Sequence, residues 1–413
     1  MPAEHPTLRL LGGPAAAVGP EPYREHLGRL GPLPRPADPA ELTAQIEASG
    51  LLGRGGAGFP VGRKWRSVAE RSEGHAVVLA NGAEGEPLSA KDRALMELRP
   101  HLVLDGALLA AQAVGADEIV LYVGGAHRAA QAALRRATGE RGPARLPLRL
   151  VSAPDRYVAG EETAAVHYVN DADARPTSLP RRPFERGVHG QPTLVQNVES
   201  LAAAALIARY GPAWYREPGR GEARGTGLVT VSGAPGAGVH EVELGLTIAE
   251  LATRSGLRRG AAQAVLLGGY FGGWLPADAA WDTALDPLQL RASGRSLGCG
   301  VVSFLEHGAC GVAATARIMD YMAGQSAAQC GPCVFGLRAI AEATGRIAVG
   351  RGSDGDGERL ATWAAELAGR GACHHPDGVA GLLWSALRTF DSEFALHLGA
   401  RACSQRPAAG RAA

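Results

Sequence analysis

The sequence predicts an α/β protein: a layer of helices on a parallel sheet, then a small α+β domain, then a helical C-terminal segment. Three observations carry that expectation. Short apolar runs alternate with helix-length stretches between residues 76 and 151, the pattern of a parallel sheet. The character changes at Gly227, where alternating strands flank one capped helix. From about Ala309 onward the pattern is helical throughout.

Residues 1–40 are rich in Pro and Gly and read as an irregular arm, with Pro32, Pro34, Pro36 and Pro39 close together. Asp38 then caps a helix reaching about Ala48, with Pro39 at its first position. Ala76–Ala80 is a short strand ending at Asn81-Gly82. His101–Val114 is a helix, Ile119–Val123 a second strand, His127–Thr138 a helix and Leu148–Val151 a third strand. Residues 170–195 are polar and Pro-rich, so a long loop is expected there. Asn197–Tyr210 is helical. Leu228–Gly233 and Val239–Leu244 read as strands, Thr247 caps a helix over Ile248–Arg254, and Ala264–Leu267 is a further strand. The expected boundaries are an arm at 1–40 and domains at 41–222, 223–300 and 301–413.

The chain of 413 residues is 46% apolar and 20% charged, as in globular proteins. Its 42 basic and 41 acidic residues give a net charge of +1, which offers no electrostatic argument for nucleic acid or an anionic membrane. No apolar run reaches the length of a membrane span, and the first 30 residues lack a signal core, so a cytoplasmic protein without membrane insertion is expected. Six cysteines are too few for a disulfide scaffold in a chain this long and read as free thiols or metal ligands.

The segment Gly53-Arg54-Gly55-Gly56-Ala57-Gly58-Phe59-Pro60-Val61-Gly62-Arg63-Lys64-Trp65 combines glycines, cations and flat apolar rings. Backbone N–H groups without Cβ atoms in the way approach an anion closely. A nucleotide or a flavin suits such a segment, although the spacing is neither the dinucleotide fingerprint nor the P-loop. Asn81-Gly82-Ala83-Glu84-Gly85-Glu86-Pro87 follows the first strand, at the edge where open α/β sheets bind ligands; taken alone, an acidic turn before a helix explains it better. Tyr157-Val158-Ala159-Gly160-Glu161-Glu162-Thr163 suits a helix N-terminus or a flavin or nicotinamide contact. In Gly190–Ser200, Gln196 and Asn197 offer amides for phosphate or hydroxyl groups, or a helix cap.

Cys330-Gly331-Pro332-Cys333 opens a helix, and Cys373 follows at a distance with His374 and His375 beside it. Three thiolates suit an iron–sulfur cluster, whereas C-x-x-C alone also fits a zinc half-site or a redox pair. Cys299, Cys310 and Cys403 read as structural or exposed thiols.

Together these segments resemble the family of NADH-binding FMN flavoprotein subunits of respiratory complex I and its homologues in NAD-linked hydrogenases and formate dehydrogenases. Residues 53–65 match that family's G-R-G-G-A-G-F-P-x-G-x-K-W. Asn81–Arg93 is similar to N-A-D-E-x-E-P-G-x-x-K-D-R, Tyr157–Thr163 to Y-x-x-G-E-E-T, and Gly190–Leu201 to G-K-P-T-x-x-N-N-V-E-T-L. The likeness extends in order to Leu297-Gly298-Cys299-Gly300, the C-x-x-C region and Cys373.

The resemblance implies an FMN-binding α/β domain, a small β-grasp (ubiquitin-like) domain and a C-terminal helical bundle with a [4Fe–4S] cluster. Gly53, Arg54, Gly55, Lys64, Asn81, Glu84, Gly160, Glu161, Gln196 and Asn197 would surround FMN. Phe59 would stack on NADH, Glu86 would contact the adenosine ribose and Glu162 would face the nicotinamide. Cys330, Cys333 and Cys373 would hold the cluster. The implied activity is hydride transfer from NADH to FMN, then single electrons to an acceptor protein such as a ferredoxin or a thioredoxin-like [2Fe–2S] subunit. Three positions depart from the family pattern: its Asp is Ala83, the first Asn of its Asn pair is Gln196, and the first cysteine of its C-x-x-C-x-x-C falls on Ala327. These departures support an alternative, a homologue that binds nucleotide as a structural or regulatory module without electron transfer.

Overall fold

The computed structural model describes residues 8–36, 38–142, 146–178, 181–353 and 355–399; Cys403 lies outside them. The chain divides into two compact units. The first comprises the described residues up to Gly85, Ser89–Val229 and Val239–Leu246; the second comprises Glu86–Leu88, Thr230–Gly238 and the described residues from Thr247 onward.

The first unit opens with a correction. Where an irregular arm is expected, the structure has helix α1 (Tyr23–Leu30). Pro22 precedes its first turn, and Gly31 closes it at a φ of 73°. The described residues before it have no regular structure beyond a short 3₁₀ turn, yet they are pinned. The N–H groups of Arg9, Leu10 and Leu11 all donate to the Glu241 carboxylate at 2.9–3.0 Å, and the Arg99 guanidinium donates to the carbonyls of Leu11, Gly12 and Pro14.

Helix α2 (Pro39–Ser49) begins as expected, with the Asp38 carboxylate accepting from Ala40 N–H at 2.8 Å. Helix α3 (Val61–Ser72) starts directly after the glycine run and buries Val61, Trp65 and Val68 along one face. Then come β1 (Ala76–Gly82), α4 (Lys91–Leu98), α5 (Pro100–Val114), β2 (Ala116–Gly124), α6 (Arg128–Glu140), β3 (Leu148–Ala153), α7 (Glu162–Asp171), β4 (Thr193–Asn197) and α8 (Val198–Arg216). Strand β4 occupies the end of the expected long loop. Its Thr-Leu-Val-Gln-Asn run is too short to stand out locally, and it is a strand because β1 pairs with it.

The sheet order is β3-β2-β1-β4, and every pairing is parallel. Val78, Ala80, Ile119 and Leu121 face the side covered by α5, α6 and α8, while Val77, Leu79, Val120 and Tyr122 face the side covered by α7. Burial on both faces makes the strands read as continuous apolar runs. Successive strands step outward from β1 to β3, and then the chain returns across the opposite face to β4 on the other side of β1. The reversal places a topological switch point between β1 and β4.

Strand β5 (Thr226–Ser232) leads out of the first unit, and β6 (Gly238–Glu243) returns to it. In the second unit, α9 (Ile248–Arg254) carries a capping box between Thr247 and Glu250. Strands β7 (Ala262–Leu267) and β8 (Gly273–Pro276) follow, then short helices α10 (Ala277–Ala280) and α11 (Pro287–Ala292), and β9 (Val301–Glu306). Strand β9 pairs in parallel with Thr230–Ser232 and antiparallel with β7, which in turn pairs antiparallel with β8. Helix α12 (Gly311–Gly324), a π-helical segment at Pro332–Leu337, α13 (Arg338–Ala348), α14 (Asp356–Leu367), α15 (His375–Thr389) and α16 (Asp391–Leu398) complete it. Cys310 is buried and structural: its sulfur caps α12 by accepting from Ala313 N–H and lies 3.3 Å from His397 Nε2. Cys299 is half-buried, with its sulfur 3.6 Å from the Gly268 carbonyl. No helix among the described residues is long and apolar enough to cross a membrane.

Two packing features of the first unit have measurable consequences. Helices α5 and α8 meet at Gly106, where an added Cβ would stand 2.1 Å from the Leu201 carbonyl oxygen. Gly106→Ala is expected to lower unfolding free energy by about 1–3 kcal/mol in urea titrations.

The second feature is a buried charge cluster around Asp105, whose carboxylate meets His26 at 2.8 Å, Arg141 at 2.7 Å and Arg209 at 2.5 Å. Burial opposes ionisation of Asp105 and Glu21, but hydrogen bonds from His26 and the nearby arginines outweigh it and hold both carboxyls at about 2. Burial, with Arg141 beside it, lowers His101 to about 4. The unfolded chain therefore takes up the His101 proton first, and stability falls as pH drops from about 6.5 towards about 4. The carboxylate contribution, complete above their unfolded values near 4, is lost as pH falls further towards about 2. Denaturation midpoints measured across this range are expected to decline continuously, with the first loss appearing below pH 6.5.

Candidate functional site

The switch point lies at the carboxyl ends of β1 and β4, where Asn81 and Asn197 stand opposite each other in register. Asn81 Nδ2 donates to the Gly160 carbonyl at 2.9 Å, tying the strand end to the segment ahead of α7. Asn197 caps α8, accepting from Glu199 N–H at 3.0 Å, and its amide donates to Asp92 at 2.7 Å. The glycine run arches over this edge: Gly53 N–H donates to the Phe59 carbonyl at 2.8 Å, and Leu52 bridges to Pro60. Gly56 adopts a φ of 110°, and a Cβ on Gly55 would come to 3.4 Å from Asn197 Cβ. The loop backbone thus runs close over Asn197 and delivers the chain to the N-terminus of α3. Arg63 and Lys64 occupy the first turn of that helix, at the positive end of its dipole. Cations there are unfavourable unless an anion joins them.

Several site residues have structural partners. Lys64 Nζ is paired with Glu162 at 2.8 Å. Glu161 caps α7, accepting from Thr163 and Ala164 N–H. Glu84 accepts from Asp92 and Arg93 N–H at the start of α4 and from Ser89 Oγ at 2.7 Å. Arg54 is buried. Its N–H donates to Ser200 Oγ at 2.9 Å, and its guanidinium approaches Tyr215, the Thr226 carbonyl and Glu199. Arg54 therefore anchors the loop from below. Phe59, by contrast, is half exposed, with Arg63 over its ring. Gln196 is buried, and its Oε1 has no hydrogen-bond partner among the described residues. Ala83 leaves its position without an acceptor, and its N–H is held by Asn81 Oδ1. Glu86 belongs to the second unit, where it is buried and accepts from Tyr270 N–H at 2.8 Å.

Beneath the edge is a set of groups to which sequence reasoning attached no role. Lys91 is buried between Asp92 at 2.7 Å and Glu199 at 2.8 Å. Burial disfavours its charge, but Asp92, Glu199 and Glu84 more than compensate and raise its pKa. Burial together with Glu84 and Glu199 raises Asp92 to about 7 against the pull of Lys91. Lys91, Asp92 and Glu199 all fall within quoted segments, in Lys-Asp-Arg and Asn-Val-Glu-Ser. Only the fold shows that they meet.

In the second unit, Cys333 is buried, while Cys330 and Cys373 are half-buried. Cys330 precedes the π-helical turn, Cys333 lies within it and Cys373 stands just before α15. Burial, then Cys330 and Cys373, push the Cys333 thiol up to about 12. His374 is exposed and bonded to Asp377, and buried His375 points Nε2 to the Met322 carbonyl at 2.8 Å. No group of three or more His, Cys, Asp or Glu among the described residues surrounds a single metal ion.

The architecture is that of an α/β protein: a parallel sheet with a glycine loop at its switch point, followed in sequence by a thiol-bearing helical region. Residues 46–206 match the family model described as the Nuo51 FMN-binding domain, and residues 313–397 match the NADH-ubiquinone oxidoreductase-F iron-sulfur binding region. An F-type subunit of the NADH-quinone oxidoreductase of Rhizobium meliloti is 30% identical over 381 residues, covering 88% of this chain and 90% of that protein. The corresponding Escherichia coli protein is 31% identical over 382 residues, covering 86% and 84%. An NAD⁺-reducing [NiFe]-hydrogenase superposes with a TM-score of 0.80 at 29% identity, spanning 99% of this chain and 68% of that one. The chain belongs to the family of F-type subunits of NADH-quinone oxidoreductases.

FMN fits the first site. The glycine backbone and the first turn of α3 suit its phosphate, and the orphaned Gln196 Oε1 is a buried acceptor awaiting a donor. The matched iron-sulfur binding region contains Cys330, Cys333 and Cys373, the thiols that could hold a cluster.

Lys91→Met would leave Asp92 and Glu199 buried without their cation. The expected cost is about 3–5 kcal/mol in urea unfolding, against less than about 1 kcal/mol for exposed Arg71→Met.

Proposed function

We propose that this protein is an NADH-oxidising flavoprotein whose FMN rests on the carboxyl edge of the parallel sheet, and that it works in the cytoplasm. The observation that carries the reading is the convergence at one switch point of the glycine loop, the α3 N-terminus with Lys64, the paired Asn81 and Asn197, and the unsatisfied Gln196. When bound, FMN accepts a hydride and passes on single electrons.

The protein's contribution is position and electrostatics. The N–H groups of the loop around Gly53 and Gly55, with Lys64, hold the phosphate. Lys64 exchanges its partner Glu162 for that phosphate, which frees Glu162 to face the nicotinamide. Asn81, Gln196 and Asn197 fix the ring and hydroxyls, with Glu84, Gly160 and Glu161 shaping the wall. Arg54 acts through the loop it anchors. Phe59 offers an exposed ring for stacking NADH, and Glu86 accepts from ribose hydroxyls; a carboxylate there repels a 2′-phosphate and selects NADH over NADPH.

We read 41–222 as the FMN/NADH domain, 223–300 as a β-grasp domain and 301–413 as the helical iron–sulfur-binding domain. The mixed pairing of β9 with β5 and β7 beside α9 supports the second of these. Cys330, Cys333 and Cys373 would hold the cluster, which would supply one-electron transfer towards a ferredoxin or thioredoxin-like [2Fe–2S] partner.

Anaerobic addition of NADH to FMN-loaded protein is expected to bleach the flavin absorbance. Lys64→Met should weaken FMN binding at least about tenfold, or about 1.4 kcal/mol, in fluorescence titrations. Bound flavin that stays oxidised with NADH would instead support the nucleotide-binding module without electron transfer.

A further inference from the structure

Glu86 is a buried carboxylate of the second unit, and how it is aimed decides which ribose it can accept from. Its aim is set by a turn of the same unit. The hairpin of β7 and β8 pairs Leu267 with Gly273 and turns through Gly268-Gly269-Tyr270-Phe271-Gly272. Gly268 and Gly269 stand at φ of 90° and 84°, successive left-handed positions that glycine fills without strain. Gly268 N–H donates to the Val301 carbonyl of β9 at 2.8 Å, and Gly272 N–H to the Gly269 carbonyl at 2.8 Å. The Tyr270 ring stands edge-on to Tyr321 of α12, with centroids 5.6 Å apart. The turn so fixed presents Tyr270 N–H to Glu86 Oε2 at 2.8 Å, while Leu88 N–H donates to Oε1 at 3.3 Å. Each carboxylate oxygen thus has one lone pair on backbone and another left for a hydroxyl donor. The close approach requires that residue 269 have no side chain. A Cβ there would lie 2.7 Å from Glu86 Oε2 and 2.8 Å from its Cδ.

We propose that Gly269 and Tyr270 are positioning residues for cosubstrate selection, holding the Glu86 carboxylate in the orientation that accepts from a ribose diol and repels a 2′-phosphate. The assignment rests on the ribose reading of Glu86 and names what aims that carboxylate. Neither residue needs to touch the dinucleotide. The Tyr270 N–H favours the ionised carboxylate through a charge-assisted hydrogen bond, and the bare Cα of Gly269 leaves the space that the carboxylate occupies. A Cβ at 269 would meet the mobile end of a side chain rather than backbone, so the carboxylate yields before the hairpin does.

The test uses the full FMN-loaded chain with ferricyanide as electron acceptor and compares steady-state kinetics with NADH and with NADPH. FMN content and the thermal midpoint serve as folding controls. Gly269→Ala is expected to raise KM for NADH about tenfold with kcat within about twofold, and to narrow the NADH-over-NADPH preference by a similar factor. Glu86→Gln should do the same. The double variant should be no worse than Glu86→Gln within about twofold, because both changes act through one carboxylate. Glu86→Asp keeps the charge but withdraws it from the Tyr270 N–H. It should lose NADH affinity as the glutamine variant does, and it carries the test if Gly269→Ala does not fold. A folded Gly269→Ala protein with wild-type KM and preference overturns the proposal. So does an effect that adds in full to that of Glu86→Gln, or a Glu86→Asp protein with wild-type kinetics. Glu86→Gln with wild-type KM and preference overturns the ribose reading itself.

Discussion

The buried Lys91 ammonium, held between Asp92 and Glu199, is the constraint on which the site of the first unit depends. Each partner extends the network to another element. Asp92 accepts from the Asn197 amide at the end of β4, and Glu199 accepts from Leu228 N–H and faces Arg54 beneath the glycine loop. A charge taken out of water is tolerated only when fully paired, so the strand edge, the start of α4, the start of α8 and the loop must adopt one mutual arrangement. A hydrophobic cluster of equal volume would stabilise as well but would not dictate where Asn197 and Arg54 point. The network specifies geometry.

On that base the sheet topology does the rest. The chain steps outward through β2 and β3 and returns to the far side of β1 as β4, which opens a crevice between two carboxyl ends. The side chains at the rim are mostly occupied as helix caps or ion pairs: Glu84, Glu161, Asn197 and Lys64 each have a partner. Such partners pre-organise the rim, and a ligand then competes with a half-buried pair, Lys64 with Glu162, rather than ordering a loose surface. The departures from the family pattern at Ala83 and Gln196 remove or displace individual acceptors without disturbing this frame.

The second unit follows a different logic. Its three thiols come from a π-helical turn and from the segment before α15, so their proximity depends on packing among helices rather than on a strand register. The loss of one cysteine at 327 is local, since Cys330, Cys333 and Cys373 are retained.

Much of this was legible in the residues. Asp38 with Pro39, Thr247 with Glu250, and the strands at Ala76, Ile119 and Leu148 announce themselves because caps and apolar runs are local signals. The Gly53–Lys64 segment, Asn81, Glu161 and Asn197 were equally visible, since their chemistry is carried by residue type and spacing. Helix α1 was misread because Pro22 and Gly31 mark helix ends as readily as loops. Strand β4 was missed because a five-residue edge strand has no period of its own and exists through its pairing with β1. The sequence by itself determined the family and the segments that gather at the sheet edge. The tertiary structure alone decided that Lys91, Asp92 and Glu199 meet in the interior and that Arg54 is an anchor. These are contacts between distant segments, and burial and electrostatics act on them only once the chain has folded.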